Sequence, residues 1–375
     1  MKIGIVTEYY YPLLGGITEH VYHKKLRLQG MGHEVKVITS NSTVHGSNGC
    51  LGDPSFGNEV IRMGRGVPVY SNGSFAHMTI GRNLRGQMRA VLKAEKFDLL
   101  HLHSPIVITL PPLALLEAKC PLVGTFHTYF EGSLIYSTLK GYIQKRIVDR
   151  LSGQIAVSKT CTEALGRYFT LDARIIPNGV DTDQFSPGVA PVENYDGGKM
   201  NLLFLSRFDP RNGLPLMLKA FDLIKAEFPD VRLIVVGNGP LGFYYKRLVP
   251  KRLKQDVHFE GLVNHKRPAY YARCDVFCSP VMKASFGVTL LEAMASGKPI
   301  VATENEGYKE LLSPDESILV RPMDPAAIAE AVLSLLKNDA LRQKMGRNGR
   351  RKAMRYSWDR VAREISDYYD EILGR

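Results

Sequence analysis

Lys2-Ile-Gly-Ile-Val-Thr7, the pair Gly15-Gly16, the run Glu19 to Met31 and Val35-Lys-Val-Ile-Thr39 decide the fold. The first and last are short apolar runs, rich in β-branched residues and bounded by turn signals, and they read as buried strands. The run between them has a helical pattern that Gly32-His33 closes. Strand, glycine loop, helix and strand in so short a span make a βαβ unit, so a parallel α/β sheet is expected. The alternation continues outward. Asp98-Leu-Leu-His-Leu-His103 and Leu122-Val-Gly-Thr-Phe126 are strands with a helix, Pro111 to Lys119, between them, and Gln154 to Ser158 and Arg174 to Pro177 follow. Residues 41–75 are rich in glycine, serine and asparagine and read as loops with two short strands, Val60 to Met63 and Val67 to Tyr70. The Pro-, Gly- and acid-rich stretch Ser186 to Lys199 reads as a linker. A second alternation starts at Met200 to Leu205 and runs through Val231 to Val236, Val257 to Phe259, Val276 to Cys278 and Ile300 to Ala302. Helices are expected at Pro325 to Lys337, Asp339 to Arg355 and Ser357 to Leu373. The architecture this predicts is α/β, with two Rossmann-like, doubly wound domains facing a cleft. They span 1–185 and 199–356, and 357–375 is a last amphipathic helix.

A chain of 375 residues, 45% hydrophobic and 23% charged, has the composition of a soluble globular protein with two cores. Cys50, Cys120, Cys161, Cys274 and Cys278 are odd in number, and Cys274-x3-Cys278 lacks a second pair or a histidine at zinc spacing. Buried free thiols in a reducing compartment are expected. Ile3 to Val6 is too short for the apolar region of a signal peptide, and Pro105 to Leu116 carries three prolines and falls short of a span. The expected location is cytoplasmic. Net charge is +12, split evenly between 1–185 and 186–375. Such an excess suits a phosphate-bearing substrate, an anionic membrane or nucleic acid. No nucleic-acid module shows itself, so nucleic acid is not expected as a partner. Arg82, Arg85, Arg89, Lys93 and Lys96 recur at three- and four-residue spacing, opposite Leu84, Met88 and Val91. They line one face of a helix expected from Arg82 to Phe97, either as a solvated outer face or as a dock for anionic headgroups.

Two loops have chemistry in them. Lys283-Ala-Ser-Phe-Gly-Val-Thr-Leu-Leu-Glu-Ala-Met-Ala-Ser-Gly-Lys-Pro-Ile-Val-Ala302 reads as loop, helix, turn and strand, with Ser285 as N-cap. It would set the N–H groups of Phe286, Gly287 and Val288 at a helix N-terminus, a ready phosphate site. Glu292 could accept hydrogen bonds from sugar hydroxyls. After another strand, Arg207 offers a forked cation to a diphosphate, with Arg211 and Asn212 close behind. His127, at a strand end, stands where open α/β sheets place their ligands.

Gly15-Gly16, Gly124-Thr-Phe-His-Thr128, Ile176-Pro-Asn-Gly-Val-Asp181, Ser206-Arg-Phe-Asp-Pro-Arg-Asn-Gly213 and the 283–302 segment occur in one order. In that order they resemble the retaining glycosyltransferases of family 4, which have the GT-B fold, and the resemblance implies that the last helix, 357–375, packs back on the first domain. Tyr70-Ser-Asn-Gly-Ser74, the basic helix and the His127 motif resemble the bacterial phosphatidylinositol α-mannosyltransferases among them. The resemblance implies a nucleotide-sugar held by Gly16, Arg207, Arg211, Asn212, Asn264, Phe286, Gly287, Val288 and Glu292. It implies that Glu292 takes the ribose, that His127 touches the transferred sugar, and that His127 and Arg207 serve the catalysis. Tyr11, Thr18, Tyr70 and Asn72 fall at acceptor-binding positions, and the basic helix falls on an anionic membrane surface at the inner face of the cell membrane. The family pairs a glutamate with a second one seven residues on, and Ala284 stands in place of the first.

That alanine bears on the mechanism. A covalent route needs a carboxylate on the reactive face of the sugar, and Ala284 has none. The remaining route is front-face, with the departing diphosphate taking the acceptor's proton. Asp181-Thr-Asp183 lies in a turn segment where its expected task is capping, so no metal and no cofactor is expected. Asn264 leaves guanine and uracil both open. The expected function is transfer of a hexose, mannose from GDP-mannose, to a phosphatidylinositol-like or other membrane-associated acceptor. The alternatives are a UDP-sugar-dependent transferase with a soluble or other lipid-linked acceptor, and a catalytically silent nucleotide- or carbohydrate-binding protein.

Overall fold

The structure is a computed structural model that describes residues 1–13, 15–41, 59–71, 74–106 and 109–375. The chain forms two compact units, Met1–Asn178 with Trp358–Arg375, and Gly179–Ser357. The partition falls between Asn178 and Gly179, and the 186–199 segment read as a linker is fastened into the second unit. The Val192 N–H donates to the Ala269 carbonyl at 3.2 Å, the Val192 carbonyl accepts from Arg273, and the Tyr195 hydroxyl bonds Glu260. Its composition is that of a linker, but its backbone bonds are those of an ordered edge.

In chain order the first unit holds β1 (Lys2–Val6), α1 (Gly16–Gly30), β2 (Glu34–Ser40), β3 (Val60–Met63), β4 (Arg65–Ser71) and β5 (Ser74–Ile80). Then come α2 (Leu84–Glu95), β6 (Leu99–His103), α3 (Leu110–Glu117), β7 (Leu122–Phe126), α4 (Leu134–Arg146), β8 (Gly153–Ala156), α5 (Lys159–Gly166) and β9 (Ala173–Ile175). Its parallel sheet runs β3-β2-β1-β6-β7-β8-β9, and β4 and β5 form a separate antiparallel pair. Two-residue periodicity sorts the core. Val6, Ile38, Leu100, Leu102 and Phe126 pack with Leu84 and Met88 of α2, Leu115 of α3, Ile143 of α4 and Leu165 of α5. Their strand neighbours Ile3, Ile5, Val37, Leu99 and Val123 pack on the other face with Val21 and Leu28 of α1. His101 and His103 alternate with Leu100 and Leu102, so both imidazoles enter the α1 layer.

The second unit holds β10 (Met200–Leu205), α6 (Leu214–Glu227), β11 (Val231–Val236), α7 (Gly242–Arg247), β12 (Val257–Gly261), α8 (Arg267–Arg273) and β13 (Val276–Ser279). It continues with α9 (Val288–Ala295), β14 (Ile300–Thr303), α10 (Glu306–Leu311), β15 (Ser317–Val320), α11 (Pro325–Leu336) and α12 (Asp339–Ala353). Its sheet is parallel in the order β12-β11-β10-β13-β14-β15. In each unit the direction of winding reverses beside the first strand, between β1 and β6 and between β10 and β13. Loops at the carboxyl ends of those pairs are where a doubly wound sheet leaves room for a ligand. The last helix, α13 (Trp358–Leu373), belongs to the first unit, and buries Trp358, Val361, Ile365 and Tyr369 beside α1.

Several elements differ from the sequence reading. The helix expected at Phe286 starts at Val288, two residues later, and its N-cap is Gly287 with no side-chain cap. The basic helix spans Leu84–Glu95, so Arg82 precedes it and Lys96, with φ 50°, ends it. Strands β5 and β15 and helices α4 and α5 were not anticipated. Ile365 lies in the wholly buried stripe of α13, so Ile365→Ala should cost about 2–5 kcal/mol of first-unit stability. Trp358 is the chain's single tryptophan and sits in that stripe. Urea unfolding followed by its fluorescence measures the loss, and an unchanged midpoint would show that α13 does not brace this unit.

Candidate functional site

In the second unit the site builds up from two neighbouring strand ends. After β10 the chain turns through Pro210–Asn212, a single 3-10 turn. Asn212 is buried, and its side-chain amide donates to the Arg207 carbonyl at 2.7 Å, so it braces the loop from inside. Arg207 is partly exposed and pairs with the buried carboxylate of Asp209 at 2.8 Å, which aims its guanidinium. Gly213 follows with φ 76°, and a Cβ there would stand 2.0 Å from the Pro280 carbonyl oxygen. Only glycine lets the β10 loop lie against the β13 loop so closely. The Met282 N–H then donates to the Arg211 carbonyl at 2.8 Å and ties the two loops together.

The β13 loop leads to α9. Gly287, at φ 135°, turns the backbone into the helix, and a Cβ would meet Leu290 at 2.7 Å and Tyr308 at 3.0 Å. Ser285 therefore lies outside the cap, and a glycine with left-handed backbone does the turning. Phe286 is buried, with its ring near Tyr356. Glu292, in the second turn of α9, is buried with Tyr271 donating to Oε2 at 2.9 Å and Arg267 bonding Oε1 at 3.0 Å. Burial, then the Glu292 charge, drives the Tyr271 phenol well above its usual range. The sequence reading passed over both partners, because a lone Arg on α8 and a core tyrosine give no signal until the fold brings them under α9. The loop of Arg207 and Arg211 is thus tied to the loop that leads to Phe286–Val288, and Glu292 has protein partners on both oxygens. Asn264 opens a 3-10 turn after β12, and its side chain lies outside what the structure describes. Asp181 Oδ1 accepts from the Asp183 and Gln184 N–H groups at 3.2 and 2.9 Å, the capping task expected of it.

In the first unit the end of β6 holds a buried polar chain. Lys24 Nζ lies 2.6 Å from His103 Nε2, and His103 Nδ1 lies 2.7 Å from His127 Nε2. His127 follows β7 and is partly exposed. Its ring stacks on His103, and His20 stands edge-on to both. Beneath them His101 bonds the Tyr369 hydroxyl and Thr125 Oγ1, each at 2.5 Å. Burial drives the Lys24 amine well below its ordinary value. An amine, charged or neutral, has hydrogens to give. With Lys24 donating to His103 Nε2, His103 donates from Nδ1 to His127 Nε2, and His127 carries its own hydrogen on Nδ1. Sequence reasoning found His127 but missed Lys24 and His103, since a lysine in a helix reads as surface until the strand alternation puts it inside.

The remaining first-unit residues singled out in the sequence take different places. Gly16 opens α1 at an exposed turn. Thr18 is buried and its hydroxyl donates to the Leu13 carbonyl at 2.7 Å, so it serves the start of the helix. Tyr11 donates to Glu19 Oε1 at 2.6 Å. Tyr70 is exposed on β4, and Asn72 lies outside the described residues. On α2, Arg85 and Arg89 both bond Glu117 of α3, Arg89 at 2.6 Å. Arg89, then Arg85, holds that carboxyl down at about 2. Two of the five cations in the stripe are therefore committed to an ion pair. Cys161, Cys274 and Cys278 are buried free thiols, and burial raises Cys274 to about 12.

Burial holds His20, His101 and His103 well below the usual histidine range, and burial and then Lys24 bring His127 down to about 3. The unfolded chain takes up these protons from about pH 6.5 downward, whereas the folded unit does not until far lower. The histidines therefore cost nothing above about pH 6.5. Below it each removes up to about 1.4 kcal/mol per pH unit until its folded value is reached. The urea midpoint reported by Trp358 should fall between about pH 7 and about pH 5. A flat midpoint would mean that these rings are charged in the folded unit.

Residues 190–352 match the family model described as "Glycosyl transferases group 1", and residues 14–184 match "Glycosyltransferase Family 4". The chain is 34% identical to the phosphatidyl-myo-inositol mannosyltransferase of Mycobacterium tuberculosis, over 100% of this chain and 98% of that one. Among solved structures it is similar to a glycosyltransferase from Rickettsia africae, with TM-score 0.78, 18% identity and coverage of 99% and 98%. It is also similar to Anabaena HepE in complex with UDP and glucose, with TM-score 0.77, 19% identity and coverage of 99% of each chain.

Proposed function

We propose, from the premise that the chain belongs to glycosyltransferase family 4, that it moves mannose from GDP-mannose onto a phosphatidylinositol-type lipid. One observation supports this most: identity of 34% along the full length of an enzyme named for that sugar and that lipid. In this reading the second unit holds the donor. Arg207, braced by Asp209 and Asn212, meets the diphosphate together with the N–H groups of Phe286 to Val288. Arg211 adds charge behind it. Glu292, held in place by Arg267 and Tyr271, takes the ribose in this reading. Asn264 reads the base. His127, presenting an N–H from a ring that Lys24 and His103 orient, contacts the transferred sugar, and Tyr11 and Tyr70 belong to the acceptor side.

Transfer in this reading is retaining and needs no metal. The bond from the anomeric carbon to the diphosphate oxygen breaks as the bond to the acceptor oxygen forms on the same face. The acceptor's proton passes to the departing phosphate oxygen, and Arg207 and the α9 N-terminus stabilise the charge that develops there. Ala284 supports this route, because it cannot act as a carboxylate nucleophile. The enzyme would work in the cytoplasm at the inner face of the cell membrane. No helix among the described residues is long and apolar enough to cross a membrane.

Purified protein with labelled GDP-mannose and phosphatidylinositol vesicles should yield a mannosylated lipid that keeps the α configuration. Label carried only from UDP-sugars would replace the donor. Nucleotide binding with neither transfer nor donor hydrolysis would make the chain a silent binding protein, the reading that Ala284 keeps open. Arg207→Ala should weaken GDP binding by about tenfold or more, since a charge-assisted hydrogen bond contributes ~1.5–3 kcal/mol. Calorimetry with equal affinities for variant and parent would remove Arg207 from the diphosphate site.

A further inference from the structure

Helix α4 is held to the first unit by one side. Ser133 caps it, accepting from the Tyr136 N–H at 3.2 Å. Tyr136 lies among the rings of Phe130, Tyr168 and Phe169 at 5.1, 6.0 and 5.5 Å, and Ile143 is buried in the core. At about 100° per residue those two anchors share one side of the helix. The other side has four large apolar residues in the open. Leu134 is 86% exposed, Ile135 58%, Leu139 46% and Tyr142 65%. Together they fall within an arc of about 140°. A folded chain does not leave such a face uncovered without use for it.

The chemistry of the same arc says what covers it. Helix α4 has no acidic residue, and Lys145 and Arg146 stand exposed in its last turn, on the arc that the apolar residues occupy. The helix is thus apolar over its first turns and cationic at its end, which suits a surface with an apolar interior and anionic headgroups. We propose that α4 is the element that seats the chain on an anionic membrane, with Leu134, Ile135, Leu139 and Tyr142 entering the headgroup boundary and Lys145 and Arg146 at the phosphates. This rests on the reading that the acceptor is a membrane lipid. It moves the contact away from α2, where Arg85 and Arg89 are paired with Glu117, to a helix in the same layer of the fold.

The test uses the full chain and co-sedimentation with two kinds of vesicle, phosphatidylcholine alone and phosphatidylcholine with phosphatidylserine. The variants are Leu134→Ser with Tyr142→Ser, Lys145→Glu with Arg146→Glu, and Arg85→Glu with Arg89→Glu. All six residues are exposed, and an unchanged urea midpoint and GDP affinity report an intact fold. Both α4 pairs should lose binding to the anionic vesicles on the order of tenfold, and the α2 pair less. The loss from the charge pair should shrink as salt rises. Equal binding by the α4 variants and the parent, or no binding by the parent at low salt, overturns the proposal. So does a parent dimer that Leu134→Ser with Tyr142→Ser dissolves, because the face would then be covered by a second copy. Mannosyl transfer is read separately, on vesicle phosphatidylinositol and on a dispersed short-chain form. Loss of the vesicle reaction alone in the α4 variants supports the docking. No reaction of the parent with either form sinks the lipid-acceptor reading and the proposal that rests on it, whereas equal vesicle reaction in all variants sinks only the docking.

Discussion

A parallel sheet covered on both faces admits a polar side chain along its strands only where another buried group bonds it, as Thr125 bonds His101 here, and that constraint shapes the rest of the protein. Backbone groups pair along the ladder and the side chains of both faces enter a core, so polar work moves to the carboxyl ends of strands. Where the winding reverses, two neighbouring ends lead into loops that diverge. Here those pairs are β1 with β6, where Gly16 comes after β1 and His103 ends β6, and β10 with β13, followed by Arg207 and Gly287. The site residues are scattered in sequence because strands adjacent at a reversal are distant along the chain.

The two units meet the cost of a buried charge in different ways. Glu292 stays a hydrogen-bond acceptor because Arg267 and Tyr271 supply what water would have given. Lys24 bonds an imidazole, and burial acts on the amine and lowers its proton affinity. Its hydrogen bond to His103 is satisfied in either charge state, and a donating amine there turns the hydrogens of the row outward to His127. In both units a fixed partner keeps a functional side chain in one orientation, so little ordering remains when a ligand arrives.

Patterns confined to a few neighbouring residues were legible in the sequence. Leu122–Phe126, Met200–Leu205 and Val231–Val236 are strands at the boundaries expected, because a short apolar run between turn residues has few other readings. Helix α4 was not legible. Its Gly141, its β-branched Ile135 and Thr138 and its apolar residues on two sides break the single stripe by which an amphipathic helix is recognised. Strand β15 has four residues at a sheet edge, too few to show a period. Ser285 looked like an N-cap because serine commonly caps, but the turn into α9 needs a backbone that glycine alone enters readily. In the site, Arg207, His127 and the α9 loop were read from their own residues. Asp209, Asn212, Lys24, His103, Arg267 and Tyr271 hold those groups in place through contacts that only the fold creates.

Net charge shows how far composition can mislead about a surface. An excess of +12 is what remains when every acid is matched, and the pairs that folding makes decide where on the surface that excess falls. Lys2 and Lys36 converge on Glu95, Arg174 clasps Glu371, and Lys199 and Lys225 share Asp256. Arg85 and Arg89 do the same with Glu117, so the most regular basic stripe in the sequence is partly neutralised once α2 packs beside α3. A charge already paired contributes little to a distant surface, because its partner's field cancels most of its own within a Debye length. What singles out α4 is that the helix itself carries no acid while four of its large apolar residues are exposed, a feature that no count of lysines and arginines reports. Docking through α4 therefore rests on Lys145 and Arg146 standing on the same arc as exposed apolar residues, and not on the total charge.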